Sequence, residues 1–156
     1  MKHCFYIFLL CIGLAGTALA QGKQSADDAC TPIESRAKCK EALVPFEYDA
    51  GKIVRITFRS MSQQKEYEIP LYMGEKYRLV FNREGLPQNV SIKVYDKKQG
   101  SSNRKVLYSS DDASFDEKQL IWEPESTGKI FIHFDIPATS DVEKKGCILF
   151  LLGYKG

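Results

Sequence analysis

The segment Leu120–Ile136 places the tightest limit on what this chain can fold into. In its second half Ile130, Ile132, Phe134 and Ile136 alternate with Phe131, His133 and Asp135. Successive side chains of a strand point to opposite faces, so the first set predicts a buried face and the second an outward one. In its first half a short apolar run carrying the only tryptophan, Trp122, meets the turn residues Pro-Glu-Ser-Thr-Gly. Together the two halves predict a β-hairpin.

The same period recurs from Ile53 onward. Val54, Ile56 and Phe58 alternate with Arg55, Thr57 and Arg59; Tyr67, Ile69 and Leu71 with Glu66, Glu68 and Pro70. Tyr77, Leu79 and Phe81, then Val90, Ile92 and Val94, continue the pattern, and Val106–Ser109 reads as a short strand. Pro70 cannot donate to a ladder, which predicts an edge position for its strand. The last strand, Cys147–Tyr154, is apolar on both faces (Ile148 to Leu152), which predicts a central place between layers. Segments rich in Gly, Pro, Asn and Asp separate these runs, and Phe46–Gly51 reads as a turn-rich bridge. The spacing predicts an all-β fold, an antiparallel, jelly-roll-like β-sandwich of about eight strands over residues 46–156.

Residues 1–20 read as a signal peptide. Lys2 and His3 precede the apolar run Phe5–Leu14, and Ala18-Leu-Ala20 offers small residues for cleavage before Gln21. The apolar run is shorter than the roughly 20 residues that span a bilayer, and no second span follows, so no integral span is expected after cleavage. Residues 21–45 form an N-terminal segment with one short helix. Thr31 is its predicted cap, Pro32 its first residue and Glu34 the partner in a capping box, and it stops before Pro45. Ile33, Ala37, Cys39, Leu43 and Val44 would form a modest apolar side, plugging one end or edge of a sheet.

Lys and Arg number 22 against 20 Asp and Glu. Cleavage removes one Lys, leaving near-neutrality with the two signs interspersed. That excludes the one-sided basic excess of a nucleic-acid binder. Of five cysteines, Cys30, Cys39 and Cys147 remain after cleavage. Export predicts one disulfide and one free thiol. Cys30 and Cys39 would lie about 13 Å apart along a helix, too far to bridge. Cys147 is therefore the shared partner, with Cys39 preferred and Cys30 the alternative. A zinc site would need a fourth ligand beside His133, the only histidine left, and is not favoured.

Three runs resemble the bacterial pre-peptidase C-terminal domain. Ile69-Pro-Leu-Tyr-Met-Gly-Glu-Lys-Tyr-Arg-Leu is similar to its opening strand, glycine turn and strand. Val94-Tyr95-Asp96 followed by Gly100 is similar to its Tyr-Asp strand and turn. Trp122–Phe134, with Pro124, Thr127 and Gly128, is similar to its Thr-Gly hairpin, with Ile130 where an aromatic is usual. The ending Gly146–Lys155 also resembles small secreted proteins of the Bacteroidetes. The likeness covers about residues 66–154 and implies a secreted, non-catalytic, jelly-roll-like sandwich concerned with binding or with keeping an exported partner folded. The chain departs from it in having a short helix rather than a protease domain upstream, and in lacking a clear match to its calcium ligands.

Candidate chemistry is sparse. His133 with Asp135 offers part of a Ser-His-Asp arrangement, but there is no Gly-x-Ser-x-Gly elbow, and a solvent-side or edge histidine is the simpler reading. Asp111, Asp112, Asp116 and Glu117 supply oxygen ligands without the spacing or glycine of an EF-hand loop, so a solvated acidic loop is expected. Tyr72, Tyr95, Tyr108 and Phe131 are candidate outward aromatics, either for a protein or glycan partner or as cover for the helix or loops of the same domain. Arg55, Arg59 and Arg78 offer a basic strip on the outer face of one sheet, but an ordinary solvated face is the simpler reading. No cofactor motif and no metal site is read. The expected function is a non-catalytic binding or structural module exported to periplasm, cell surface or medium. The alternatives are a secreted hydrolase using the 111–117 carboxylates and an accessory subunit of an envelope assembly.

Overall fold

The computed structural model describes Cys30, residues 33–141 and residues 144–156. The predicted signal peptide, the Thr31 cap and Pro32 lie outside them. One helix, α1 (Ile33–Leu43), precedes eight strands. These are β1 (Glu47–Thr57), β2 (Gln63–Leu71), β3 (Lys76–Asn82), β4 (Ser91–Tyr95), β5 (Val106–Ser109), β6 (Gln119–Trp122), β7 (Gly128–Ile136) and β8 (Lys145–Lys155). They form two antiparallel four-stranded sheets. Sheet A runs β1-β8-β3-β6 and sheet B runs β2-β7-β4-β5. Apart from β4 to β5, every connection crosses from one sheet to the other, the double Greek-key wiring of a jelly roll.

The alternation in the sequence is what closes the sandwich. Val54, Ile56, Phe58, Leu79, Phe81, Ile148, Phe150 and Leu152 of the sheet A side meet Ile92, Val94, Ile130, Ile132, Phe134 and Ile136 of sheet B in one buried cluster. Each such side chain is worth about 1.5–3 kcal/mol when fully buried. Pro70 lies on β2, an edge strand, so its missing donor costs sheet B nothing. The strand apolar on both faces, β8, is central in sheet A, and its second face belongs to a third layer. Cys39 and Leu43 of α1 pack there on Val80, Leu149 and Leu151.

Several expectations are corrected. The predicted hairpin at Leu120–Ile136 does not form, because β6 pairs with β3 in sheet A while β7 pairs with β2 and β4 in sheet B. The Pro-Glu-Ser-Thr segment instead spans the distance of about 10 Å between sheets. Phe46–Gly51 is no bridge: β1 begins at Glu47, with a register shift between Tyr48 and Ala50. The helix lies on the outer face of sheet A and buries Ser35, Cys39 and Leu43, spaced four apart, while Ile33 is 90% exposed and Val44 is exposed too.

The disulfide joins Cys30, not Cys39, to Cys147, with Cα atoms 5.7 Å apart. The reason is the helix direction. Its end lies over the end of β8, since a Cβ on Gly153 would meet Leu43 Cδ2 at 2.9 Å. Its middle therefore lies over Leu149 and Leu151, and it is Cys30, ahead of its start, that comes over Cys147. Cys39 is left a buried free thiol.

Candidate functional site

Antiparallel register sets the outward face of sheet B in rows. Gln64, Asp135 and Ser91 form one row across β2, β7 and β4; Glu66, His133 and Lys93 form the next; Glu68, Phe131 and Tyr95 the third. Six of these nine side chains can ionise, and they come from three strands separated by more than 20 residues. No local pattern in the sequence brings them together.

The β4–β5 connection, residues 96–105, folds back over this face rather than standing away from it. Arg104 lies flat on Tyr95, with Cζ 3.5 Å from the ring centroid, and pairs with Glu66. The Gln99 backbone N–H donates to Glu66 Oε1 at 2.8 Å, and Gln99 Nε2 donates to Gln64 Oε1 at 2.7 Å. Gly100 and Asn103 adopt positive φ, 84° and 52°, which lets the loop curl. Under this cover His133 and Phe131 are buried, although strand alternation points them outward. Both lie on the outer face as expected, but the expectation that His133 is on the solvent side and that Phe131 is open to a partner is corrected.

His133 sits between two carboxylates. Its Nδ1 lies 3.1 Å from Glu66 Oε2 and its Nε2 lies 3.1 Å from Asp135 Oδ1. The edge of the ring packs on Tyr95, with centroids 5.8 Å apart and planes at 86°. Both ring nitrogens are occupied by carboxylate oxygens, and neither faces a hydroxyl. The imidazole works as a spacer that fixes two acids, not as the base of a triad. Burial pushes the Glu66 carboxyl up, but the Gln99 N–H, His133 and Arg104 together outweigh it and hold it below the ordinary glutamate value.

The acidic loop is drawn into the same face. Ser91 Oγ donates to Asp111 Oδ1 at 2.5 Å, and Lys93 Nζ lies 2.9 Å from Asp111 Oδ2. These two contacts, Ser91 first, hold Asp111 below the ordinary aspartate range. Asp112 and Asp116 are exposed, and Glu117 enters through its backbone, accepting from Arg83 Nε at 2.8 Å. Arg83 is fully buried; it also donates to Ser114 O and, at 3.3 Å, to Asn89 Oδ1. Its guanidinium thus pins the β3–β4 and β5–β6 connections together. Among the described residues no group of three or more His, Cys, Asp and Glu is placed to hold a metal ion.

Beside this network opens a cleft of about 420 Å³. Its wall consists of the amides Gln63, Gln64 and Asn89, the hydroxyls Ser62 and Ser91, the carboxylate of Asp135, and Ile136 with Pro137. The first row of sheet B forms one side, and the ends of β7 and of the β3–β4 connection form the rest.

The remaining candidates lie apart from it. Tyr72 is 67% exposed on the β2–β3 turn, at the far end of β2. Tyr95 is half-buried beneath Arg104. Tyr108 faces the core instead of solvent: it stacks on Phe81 at 6.1 Å with planes 8° apart and touches Trp122, and burial raises its hydroxyl pKa. The basic strip does not form. Arg78 donates to Ala42 O at 3.0 Å and Val44 O at 2.8 Å, and pairs with Glu123, so it caps the end of α1.

Sequence reasoning missed Glu66, Lys93, Arg104, Gln63, Gln64, Asn89 and Ser91. The signal present was that the outward sets of β2 and β4 carry opposite charges. Turning that into a network requires knowing that β7 lies between them.

No family model matches the chain, and no curated protein matches it. Among solved structures, PliG of Aeromonas hydrophila, a periplasmic inhibitor of g-type lysozyme, is similar over 67% of this chain and 86% of its own. The identity is 10% and the TM-score 0.43. A likeness at that level carries no functional argument.

Proposed function

We propose that this chain is an exported, non-catalytic recognition module that holds its ligand in the cleft at the Gln63–Asp135 end of sheet B. One observation carries the reading. The polar groups of the cleft are held from behind: Asp135 by His133 and Gln64, Asn89 by Arg83, Ser91 by Asp111, Gln63 by the Thr57 carbonyl. Fixed, half-satisfied polar groups in a concave site favour binding, because little side-chain freedom is lost when a ligand arrives.

Export is supported by the Cys30–Cys147 bond, since disulfides persist in oxidising compartments. It agrees with the signal peptide read in residues 1–20 and with the pre-peptidase-like pattern. A hydrolase using the 111–117 carboxylates is disfavoured. Its general acid would need a raised pKa, and Asp111 is pulled the other way by Ser91 and Lys93.

The test is a titration of isotope-labelled exported protein with fractionated envelope polysaccharide and with envelope protein, followed by backbone amide shifts. Saturable changes centred on Gln63, Gln64, Asn89 and Ser91, with the ligand recovered intact, are expected. Turnover of the ligand, or shifts confined to the Tyr72 end, would overturn the reading.

A further inference from the structure

The valences left open in the cleft define the chemistry of what fits it. Asp135 Oδ1 accepts from Gln64 Nε2 at 2.9 Å and faces His133 Nε2, but Oδ2 lies 4.0 Å from Lys93 Nζ and keeps room to accept. Ser91 spends its proton on Asp111 and keeps its lone pairs. Gln63 Nε2 donates to Thr57 O at 2.9 Å, so its Oε1 is the end left free. Asn89 is the reverse: its Oδ1 takes the Arg83 proton and its Nδ2 is left to donate. The open positions are therefore a mixed set: acceptors on Asp135, Ser91 and Gln63, the Asn89 amide donor, and the second N–H of Gln63 and of Gln64, with Ser62 able to serve as either.

Ligand classes can be sorted against that set. Phosphates and carboxylates would set a negative charge against the Asp135 carboxylate and leave the acceptors of Ser91 and Gln63 unmatched. A bare ammonium or metal cation at Asp135 would sit beside the Lys93 ammonium, whose Nζ lies 4.0 Å from Asp135 Oδ2. An extended peptide would need a free strand edge, and the edge of sheet B beside the cleft is bridged to sheet A. Lys65 Nζ donates across to Arg55 O at 2.5 Å, and Gln63 does the same to Thr57 O. Hydroxyl groups, each both donor and acceptor, match every open position, and exposed Pro137 offers an apolar wall for the C–H face of a ring. A cleft of about 420 Å³ lies within the range of small-ligand sites, about 300–1,000 Å³.

We propose that this cleft is a glycan subsite, taking a neutral, polyhydroxylated ring through Asp135, Asn89, Ser91 and Gln63. The proposal rests on the recognition role given above and names its ligand class.

The test applies the full exported chain to an array of neutral and acidic oligosaccharides of two to six units, then maps the best binder by amide shifts. A neutral oligosaccharide should be retained, with shifts at Gln63, Asn89, Ser91 and Asp135. Asp135→Asn, which keeps shape but loses charge, should weaken it at least about tenfold, the usual cost of a charged hydrogen bond. Asn89→Asp keeps the bond to Arg83 and makes it an ion pair, replaces the free donor with an acceptor, and should weaken it similarly with a melting temperature no lower than the native one. Tyr72→Ala, eight residues of strand and so roughly 26 Å away, should leave the affinity unchanged. If only acidic saccharides or a peptide library move the cleft residues, the glycan class falls while the recognition site stands. If no ligand moves them, or an oligosaccharide binds equally well to Asp135→Asn and Asn89→Asp, the site falls with it.

Discussion

Breaking the Cys30–Cys147 bond is the perturbation whose size the structure sets most directly. The bond closes a loop with a sequence separation of 117 residues, nearly the whole folded domain. Constraining an unfolded chain over that length removes closure entropy worth about 4.8 kcal/mol, and measured values generally fall at about 2–4 kcal/mol. For a domain of this size 1 kcal/mol is about 4 °C in melting temperature, so Cys30→Ser should melt about 8–16 °C below the native protein. Cys147→Ser should match it, because either change opens the same loop. Cys39→Ala removes only a buried thiol from the α1–sheet A layer and should cost roughly 1 kcal/mol. The assay is thermal unfolding of exported protein followed by circular dichroism, with urea melts alongside. An opened loop expands the unfolded state, so the urea m-value should rise in Cys30→Ser and not in Cys39→Ala. Equal losses in Cys39→Ala and Cys147→Ser, with Cys30→Ser unchanged, would refute both the pairing and the helix direction that explains it.

The Cys39 thiol, pushed up to about 11 by burial with Glu84 adding to it, should resist a thiol reagent at pH 8 in the folded protein. It should label at once in denaturant; fast native labelling would contradict the packing of α1. Glu66 is held below its ordinary 4.5, so its contribution is whole above that pH and drains as pH falls through the lower folded value. Glu66→Gln should therefore destabilise by about 1.5–3 kcal/mol at pH 7, with the gap to the native protein narrowing at pH 3 in urea melts; an equal gap at both pH values would remove the clamp. A Cβ at Gly153 would lie 2.9 Å from Leu43 Cδ2 and 3.0 Å from both Glu47 O and Phe46 Cβ, so Gly153→Ala should cost about 1–3 kcal/mol. Gly156→Ala, with nothing within 4 Å, is the control that should melt as the native protein does.

The division between legible and hidden features follows from what each depends on. The buried set Ile130, Ile132, Phe134 and Ile136 could be read from sequence because burial of alternate residues needs only that a second layer exists, not which strand lies alongside. The same holds for β8: apolar residues on both faces demand cover on both, and α1 supplies the second cover. The Leu120–Ile136 hairpin failed because it assumed that neighbours in sequence pair in space. In a jelly roll that assumption holds for β4 and β5 alone. The Cys39 preference failed in a related way, since the direction of α1 along β8 decides the partner and no local pattern carries that direction.

The site was hidden for a sharper reason. Strand alternation sorts side chains by face, and it sorted Phe131, His133 and Asp135 correctly to the outer side of sheet B. It then equates outer with wet, and on this face the equation breaks. The β4–β5 connection is ten residues of Lys, Gln, Gly, Ser, Asn and Arg with Asp96 at its start, a composition that reads as solvated. Yet two of its side chains, Gln99 and Arg104, find partners in Gln64 and Glu66 of a strand 35 to 38 residues away. Those partners lie under the loop only because β7 separates β2 from β4 and keeps their outward rows in step. The polar loop thus becomes a lid, His133 becomes a buried spacer, and Asp135 is turned toward the cleft. A face dressed in this way is where hydrophobic patterning has least to say, since most of the contacts that hold the lid on it are polar and join distant parts of the chain.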